Sequence, residues 1–362
     1  MIKGKMRATI IYGVGKIGLE TVDIPEPKMG EVLIKVETAT TCGTDVKTYL
    51  RGYVDDVFPR LFGHGEVAGT VAAVGPGVDR WKVGQRVVAH NTAPCMECEK
   101  CISHEYQACL NWDKLMGIVK RNPLRYFGSY QEYYLVPAHI ARINMFEIPD
   151  DIDYEEACQL EPFSCAVNGS SISNVRLGDT VAIIGCGPQG LYHMQVTGLL
   201  GATTHIMIDT SDYRLEVAKK IHSRRPGKLY TINATRENVE EKVKDITNGL
   251  GPDVVIEAAG LGETDEQAVR IVKKMGTVNF YAGAKPGTKV VLDQNMIHYR
   301  QLTIVGTNHT NPYYVHKAWK LIISRAVDLK SIVTHRMRLD EIQKAFDILI
   351  NTKEAEKIAI IP

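Results

Sequence analysis

The amino-acid sequence predicts an α/β protein in two parts, a β-rich domain of short strands followed by a doubly wound parallel sheet. Up to about residue 165, short runs rich in Val, Thr and Gly are broken by Gly and Pro, which is typical of a barrel-like β domain. From 166 to 303, apolar strands alternate with helical runs, which indicates parallel strands joined by crossover helices. We expect residues 304–362 to return to the first domain.

The individual elements follow from their periodicity. Strands are predicted at Glu31–Glu37, Val67–Val74, Thr180–Ile184, His205–Ile208 and Asp253–Ile256. Helices are predicted at Leu191–Leu200, Tyr213–Ile221, Glu266–Lys274 and Leu339–Asn351. The strand–helix alternation in the middle of the chain is the basis for the parallel sheet.

Composition narrows the class of ligand. The 362 residues include 43 Lys plus Arg against 42 Asp plus Glu, so no basic surplus attracts nucleic acid or anionic lipid. No apolar run approaches the roughly 20 residues that cross a bilayer, and the first residues lack a signal-peptide pattern. We therefore expect a cytoplasmic protein with a small ligand. Four of its eight cysteines lie within fifteen residues, which favours metal binding over disulfides.

A Gly-x-Gly-x-x-Gly sequence, Gly185–Gly190, follows an apolar strand and opens a helix. In that context Gly185 makes the tight turn, Gly187 admits a pyrophosphate, and Gly190 allows the helix to pack on the strand. Asp209 ends the next strand, where a carboxylate accepts hydrogen bonds from ribose hydroxyls and repels a 2′-phosphate. The pattern predicts a dinucleotide site that prefers NAD.

A second match, Gly13–Gly18, lacks this context. The alternating residues Leu19–Ile24 follow it, and Pro25 ends them. These glycines therefore predict a hairpin turn.

A cysteine cluster marks a lobe at about residues 90–112. Its members have the spacing Cys-x2-Cys-x2-Cys-x7-Cys and are Cys95, Cys98, Cys101 and Cys109. Four thiolates close a tetrahedral site, which suits a structural zinc. An iron–sulfur cluster is the alternative, but the last gap is seven residues and no proline follows Cys109. A nucleic-acid-binding zinc module is a second alternative, but glutamates outnumber lysine around the cluster.

A second set of candidate ligands is dispersed. Cys42 and His64 lie in the β-rich part with Glu66 close by, and Glu161 precedes Pro162 near the domain boundary. Three protein ligands with one open position are the arrangement of a catalytic zinc. Pro162 biases the residue before it toward extended backbone, which predicts an extended Glu161.

These motifs together resemble the zinc-containing medium-chain alcohol dehydrogenases, and among them the sorbitol and threonine dehydrogenases. The similarity runs almost end to end, through Cys42–Asp45, His64 and Glu66, Val87, Gly128–Tyr133, Leu160–Pro162, Gly185–Gly190, Asp253–Gly260 and Thr334–His335. It implies a GroES-like catalytic domain and a Rossmann NAD domain. It also implies a catalytic zinc on Cys42 and His64, with Glu66 and Glu161 alternating between the metal and its water, and a structural zinc besides.

The resemblance further implies cofactor contacts from Asp209 and Arg214, with Pro188 and Gln189 beneath the pyrophosphate. A Glu-Pro pair at 161–162 points to the polyol enzymes. Two features depart from the family: Gly65 separates His64 from Glu66, and Lys47 stands where relatives often carry a histidine that ends a proton relay. Whether Glu66 reaches the metal depends on whether the segment is extended or bulged at Gly65.

The expected reaction is oxidation of a secondary alcohol on a polyol, sugar or cyclitol to a ketone. Zinc lowers the pKa of the substrate hydroxyl, Thr44 accepts its proton and passes it toward Lys47, and NAD takes the hydride. Two alternatives remain at this point, a threonine-type amino-alcohol dehydrogenase and a redox sensor that binds NAD without catalysis. We expect a homotetramer or homodimer.

Overall fold

The computed structural model describes residues 2–52, 57–126, 128–352 and 354–362. The chain forms two compact units. The first comprises the residues up to Ser164 together with Thr310–Pro362, and the second comprises Cys165–His309. One unit is built mainly on antiparallel strands and the other on a parallel sheet with helices, which confirms the predicted fold class.

Sixteen strands and thirteen α-helices are formed by the described residues. The strands are β1 Lys5–Gly13, β2 Lys16–Asp23, β3 Val32–Thr40, β4 Arg60–Leu61, β5 Val67–Val74, β6 Arg86–Ala89, β7 Tyr133–Val136, β8 Met145–Glu147, β9 Thr180–Ile184, β10 Thr204–Asp209, β11 Lys228–Asn233, β12 Val254–Glu257, β13 Thr277–Phe280, β14 Thr303–Gly306, β15 Val333–Arg338 and β16 Lys357–Ile361. The helices are α1 Gly43–Arg51, α2 Glu99–Ile102, α3 Trp112–Arg121, α4 Ala138–Ile143, α5 Tyr154–Ala157, α6 Leu160–Ile172, α7 Pro188–Leu200, α8 Asp212–His222, α9 Val239–Ile246, α10 Gly262–Ile271, α11 Gln294–Arg300, α12 Pro312–Ile323 and α13 Ile342–Asp347. Among the described helices, none is both long enough and apolar enough to cross a membrane.

The main sheet of the first unit is organised around β3. The strand order is β15-β16-β3-β5-β6-β8, β7 also pairs with β3, and β2-β1-β4 form a smaller sheet. Side chains alternate between the faces of β3. Val32, Ile34 and Val36 pack into the central core of the unit, whereas Leu33 packs with Leu135 in a separate cluster.

The glycines near the N-terminus form a hairpin turn, as the sequence predicts. β1 and β2 pair antiparallel from Lys5 opposite Asp23 to Gly13 opposite Lys16. The alternating segment after Gly18 continues as β2 rather than as a helix. The second Gly-x-Gly-x-x-Gly sequence is therefore not part of a nucleotide-binding turn.

The C-terminal segment contains elements that the sequence pattern does not predict, among them its last strand. The predicted helix Leu339–Asn351 forms, but it changes from a 3₁₀ turn through α13 to a π-helical turn at Ile348–Thr352. The chain then enters β16, which lies between β15 and β3. Lys357 is the first residue of this strand and is 2% exposed.

The second unit is a six-stranded parallel sheet in the order β11-β10-β9-β12-β13-β14. Ile184, Ile206 and Val255, from its three central strands, are buried in one apolar core. The predicted strands and helices of this part form with small changes at their ends. Because all six strands run parallel, their carboxyl ends share one edge of the sheet, where ligands of such folds bind.

Candidate functional site

The four clustered cysteines meet at one point. Their sulfur atoms all lie within 4.8 Å of one another, and Cys95 Sγ is 3.8 Å from Cys101 Sγ. All eight cysteines of the chain are among the described residues, and none forms a disulfide. Four thiols at this spacing match the ligand set of a closed tetrahedral zinc site.

Hydrogen bonds to sulfur stabilise a thiolate in this lobe. The backbone N–H groups of Glu97 and Cys98 donate to Cys95 Sγ at 3.5 and 3.3 Å, and the side-chain amide of Asn111 donates at 3.3 Å. Burial alone raises the pKa of the Cys95 thiol, but these donors outweigh it and lower the pKa to about 6. The thiolate is the form that binds a metal, so the lowered pKa of Cys95 favours metal binding by the lobe.

Cys42 caps the N-terminus of α1. Its Sγ accepts the backbone N–H of Thr44 at 3.4 Å, and Asp45 Oδ2 accepts the N–H of Cys42 at 3.0 Å. The hydroxyl of Tyr130 donates to the same Asp45 oxygen at 2.5 Å, which holds the turn in place. Burial raises the pKa of the Cys42 thiol well above its usual range, and the carboxylates of Glu66 and Asp45 raise it further.

Thr44 and Lys47 lie three residues apart on α1, and both are half-buried. Residues at this spacing share one face of a helix. The structure therefore presents the two residues of the predicted proton path side by side along the same helix.

Two glycines in left-handed backbone flank His64. Gly63 has φ +115° and Gly65 has φ +97°. A Cβ at Gly65 would lie 2.6 Å from Cβ of Asn91, and Asn91 Nδ2 donates to the His64 carbonyl at 2.8 Å. The segment is thus not extended, and of the two conformations considered for Gly65 the irregular one, which redirects the next side chain, is present.

Glu161 lies in the first turn of α6, and the prediction that its backbone is extended is wrong. Pro162 follows within the same turn, where a proline loses no intrahelical hydrogen bond, so the helix tolerates it. The Glu161 side chain is buried, and its Oε2 lies 3.8 Å from Nδ1 of His64. Two of the dispersed candidate ligands are therefore adjacent.

Glu66 faces a buried lysine. Lys357 Nζ donates to Glu66 Oε2 at 2.5 Å and to the carbonyl of Thr41 at 2.7 Å, and the Thr40 hydroxyl donates to the same Glu66 oxygen at 2.5 Å. Burial alone lowers the pKa of Lys357, but the Glu66 carboxylate more than offsets it, so the pKa is raised and the lysine is charged. Glu66 and Lys357 form an ion pair inside the first unit.

The second carboxylate oxygen of Glu66, Oε1, is in a position that suits a nearby cation. Oε1 is buried and has no hydrogen-bond partner among the described residues. A buried carboxylate oxygen normally has a partner, either a donor or a cation. With a thiol at Cys42, an imidazole at His64 and a buried carboxylate at Glu161, the donor types fit zinc.

Sequence reasoning missed Lys357, Tyr130 and Asn91. Tyr130 and Asn91 hold Asp45 and His64 through side-chain hydrogen bonds that no local spacing encodes. Lys357 is the first residue of the otherwise apolar strand Lys357–Ile361. A lysine at the start of such a run was the one feature of the sequence that could have indicated a buried charge. Its partner is 291 residues away in sequence, so the pairing itself left no local pattern.

In the second unit, the glycines of the Gly185–Gly190 turn have the tight contacts that were predicted. Gly185 has φ +99°, and a Cβ there would lie 2.9 Å from the backbone of Ala258. A Cβ at Gly190 would lie 1.9 Å from the carbonyl oxygen of Gly185. At Gly187 a Cβ would find ordinary contacts, so its glycine is not required by the protein itself. Pro188 and Gln189 are the first two residues of α7.

Asp209 ends β10 beside this turn. Its Oδ2 accepts the N–H of Cys186 at 2.7 Å and its Oδ1 accepts the N–H of Ser211 at 2.9 Å. The guanidinium of Arg214 is 4.0 Å from the carboxylate. A carboxylate has about four acceptor positions, so two remain for ribose hydroxyls.

Comparison with known proteins identifies the family. The alcohol dehydrogenase GroES-like domain matches residues 28–150, and the zinc-binding dehydrogenase domain matches residues 188–324. The chain therefore belongs to the zinc-dependent alcohol dehydrogenase family and is an oxidoreductase. This confirms the resemblance seen in the sequence.

Several relatives match over nearly the full length. Sorbitol dehydrogenase of Bacillus subtilis is 31% identical over 99% of this chain and 97% of its own. Erythritol/L-threitol dehydrogenase of Mycolicibacterium smegmatis is 31% identical over 99% and 98%. L-threonine 3-dehydrogenase of Bacillus velezensis is 32% identical over 99% of each. A zinc-binding dehydrogenase of Sinorhizobium meliloti, solved with bound NADP, has TM-score 0.87 and 30% identity, covering 99% of this chain and 100% of its own.

Proposed function

We propose that this chain oxidises a secondary hydroxyl of a polyol, sugar or cyclitol to a ketone with NAD, at a zinc held by Cys42, His64 and Glu161. The observation that carries the proposal is the contact of Glu161 with His64, at 3.8 Å, in the unit that also contains Cys42. A histidine and a carboxylate brought together from distant segments, in a unit that also contains the Cys42 thiol, offer the three ligand types of a catalytic zinc.

When bound, the metal supplies a Lewis acid that lowers the pKa of the substrate hydroxyl, and the nicotinamide supplies the hydride acceptor. The residues of the chain hold the reactants and move the proton. Thr44 accepts the hydroxyl proton and passes it along α1 toward Lys47 and solvent. Asp45 and Tyr130 hold the helix cap on which Cys42 and Thr44 lie.

Glu66 has a supporting role in this proposal. Its Oε2 is engaged by Lys357 and Thr40, which leaves only Oε1 to face the metal or its water. Glu161 is 3% exposed, and its Oε2 lies 3.8 Å from Nδ1 of His64. We therefore assign direct ligation to Glu161. The four-cysteine lobe takes the second, structural zinc.

The cofactor is NAD in preference to NADP. A 2′-phosphate beside Asp209 meets like-charge repulsion of about 1–2 kcal/mol, which corresponds to a preference of about tenfold or more. Arg214 moderates the repulsion because its guanidinium is 4.0 Å from the same carboxylate. We therefore expect the enzyme to prefer NAD without excluding NADP.

The polyol assignment draws on the relatives named for sorbitol and for erythritol and threitol, which match this chain from end to end. Relatives named for L-threonine match comparably well. A site for an ammonium group would need an additional carboxylate, and Asp45 and Glu66 are already engaged by Tyr130 and Lys357. We also propose a homo-oligomer, and a reducing compartment such as the cytoplasm, where eight thiols remain unpaired.

A substrate panel tests the proposal. The purified enzyme is incubated with sorbitol, ribitol, threitol, myo-inositol, L-threonine and 2-propanol, each with NAD and with NADP, and reduction is followed at 340 nm. We expect the polyols to give the highest kcat/KM, and NAD to exceed NADP by about tenfold. Asp209→Ala should lower that cofactor ratio, and the exposed Asp212→Ala serves as the control.

A highest kcat/KM for L-threonine would replace the polyol proposal with the amino-alcohol alternative. Equal use of both cofactors would remove the role given to Asp209. Absence of turnover with every compound, in enzyme carrying two zinc ions, would contradict the substrate class as a whole.

A further inference from the structure

A tyrosine in the second unit contacts the dinucleotide turn. Tyr281 directly follows β13, at the carboxyl end of the parallel sheet. Its hydroxyl donates to Oε1 of Gln189 at 2.6 Å, and Gln189 is the second residue of α7. The contact joins two segments that are 92 residues apart in sequence. The hydroxyl therefore acts on one defined atom within the Gly185–Gly190 turn.

The ring of Tyr281 packs against His193 and Gly169. It meets the imidazole of His193 edge to face, with ring centroids 4.2 Å apart and an interplanar angle of 87°. A Cβ at Gly169 would lie 2.7 Å from the same ring, so glycine is needed for this approach. His193 is fully buried and fixed by Ser170, whose Oγ lies 2.8 Å from Nδ1.

The imidazole of His193, which contacts the Tyr281 ring, is uncharged. Burial lowers the pKa of His193 to about 3, so it packs as a neutral ring at physiological pH. The Tyr281 ring therefore packs against a neutral imidazole. Packing alone, however, would be satisfied by phenylalanine, so it does not account for the hydroxyl.

The hydroxyl selects one orientation of the Gln189 amide. A glutamine amide has an acceptor oxygen at one end and two N–H donors at the other. Because the Tyr281 hydroxyl occupies the oxygen, the N–H donors are the end that remains to meet a ligand. A pyrophosphate is an acceptor-only group, so it is recognised by donors and repelled by a carbonyl oxygen.

We propose that Tyr281 is a positioning residue for the dinucleotide, which fixes Gln189 so that its amide N–H group donates to the pyrophosphate. The proposal rests on the proposed function, since it requires a dinucleotide at this turn. It assigns the tyrosine no contact with the reacting atoms. Its effect is on cofactor affinity through Gln189, and the chemical step is left unchanged.

Binding titrations of the zinc-loaded enzyme test this. Wild type, Tyr281→Phe, Gln189→Leu and the double variant are titrated with NADH, ADP-ribose and AMP. We expect Tyr281→Phe to weaken NADH and ADP-ribose by about three- to tenfold, the usual effect of one hydrogen bond, and to leave AMP unchanged because it lacks the pyrophosphate. The double variant should bind like Gln189→Leu alone, because the tyrosine acts through the glutamine.

Steady-state kinetics gives a second readout that a purely structural role would not produce. KM for NAD should rise with the dissociation constant in Tyr281→Phe while kcat stays within about twofold. Tyr230→Phe, an exposed tyrosine on β11, is the matched control and should change neither quantity. Thermal unfolding of Tyr281→Phe should match wild type, since the ring and its contact with His193 remain.

Three outcomes overturn the proposal. Unchanged ADP-ribose affinity in Tyr281→Phe with weaker NADH binding would place the tyrosine against the nicotinamide half instead. Losses that multiply in the double variant would show that the two side chains act independently. Failure of the wild-type protein to bind any dinucleotide would remove the proposed function as well, which distinguishes that failure from the other two.

Discussion

At the scale of single residues, the buried carboxylate of Glu66 is paired with the ammonium group of Lys357, which lies on β16. Lys357 and Glu66 are 2% and 1% exposed, and their charged atoms are 2.5 Å apart. Two opposite charges taken out of water stabilise the fold little as a pair, but removing one of them leaves the other buried without compensation. The pair therefore constrains which substitutions the first unit tolerates.

We predict that Lys357→Met and Glu66→Gln each lower the free energy of unfolding by about 3–5 kcal/mol, because each leaves one buried charge unpaired. The double variant should be less destabilised than the sum of the two, as expected for residues in direct contact. Urea unfolding of the four proteins measures this. The exposed pair Lys5–Asp23 provides the control, and Lys5→Met should change stability by at most about 1 kcal/mol.

Measurements of zinc content in variants of Glu161, Cys42 and Glu66 distinguish a carboxylate that binds the metal directly from one that supports the site. Glu161→Ala should lose most of the catalytic zinc, as should Cys42→Ala, whereas loss of a supporting residue such as Glu66 typically costs about 10–100-fold in affinity or activity. If Glu161→Ala keeps its zinc and its rate, the assignment of the catalytic ligands is wrong. Additive losses at Glu66 and Lys357 would show that the buried pair is not coupled.

At the scale of an element, the four-cysteine lobe has little structure apart from its sulfur atoms. Between Cys95 and Cys109 the chain forms only the one-turn helix α2 and a 3₁₀ turn at Tyr106–Ala108. Its apolar cluster consists of the cysteines themselves with Tyr106, Trp112 and Leu115 packed against them. A segment with so small a core depends on a bound metal for its conformation.

We predict that Cys109→Ser reduces the zinc content from two ions per chain to one and makes the lobe susceptible to proteolysis. The physical reason is that the free energy of binding a structural zinc, about 10–16 kcal/mol in zinc-finger peptides, is also the free energy that folds its site. Inductively coupled plasma analysis and limited trypsinolysis are the measurements. Cys186→Ser, a buried cysteine of the second unit, should keep both ions. Retention of two ions in Cys109→Ser would show that the lobe is not a zinc site.

The elements also show what could be predicted from sequence and what could not. The Gly185–Gly190 turn was predicted because a strand, a glycine pattern and a helix are contiguous, and its steric requirements are local. The hairpin at Gly13–Gly18 was distinguished from it by the same local context. The backbone of Glu161 was predicted wrongly, since a proline is equally compatible with an extended residue before it and with the first turn of a helix.

The partners of the site residues were beyond prediction for a different reason. Lys357 reaches Glu66, and Tyr130 reaches Asp45, only because β16 and the segment before β7 are brought next to β3 by sheet pairing. Such contacts depend on strand order, which single-sequence periodicity does not determine. The sequence thus indicated candidate donor groups, but it did not indicate the charged side chains that surround them.

At the scale of the whole molecule, the parallel sheet of the second unit ends in an exposed strand. In the part of the chain that the structure describes, β14 pairs with β13 on one side only. The preceding helix α11 has no buried residues; Tyr299 within it is 70% exposed, and Val291 before it is 79% exposed. An edge strand with unpaired N–H and C=O groups next to exposed apolar side chains is a surface on which a second chain can pair.

We predict that the protein is a homodimer or homotetramer in which two copies of β14 pair with each other, because this satisfies the edge hydrogen bonds and covers the apolar side chains around it. Sedimentation velocity at micromolar concentration measures the state. The variant with Val291→Lys and Tyr299→Lys places like charges in that surface and should shift the protein toward monomer without loss of thermal stability in the isolated chain, since both side chains are exposed. Leu250→Lys, at a position that is 74% exposed elsewhere in the same unit, should leave the assembly intact. A monomeric wild type, or an assembly that persists in the double-lysine variant, would place the contact between subunits on another surface.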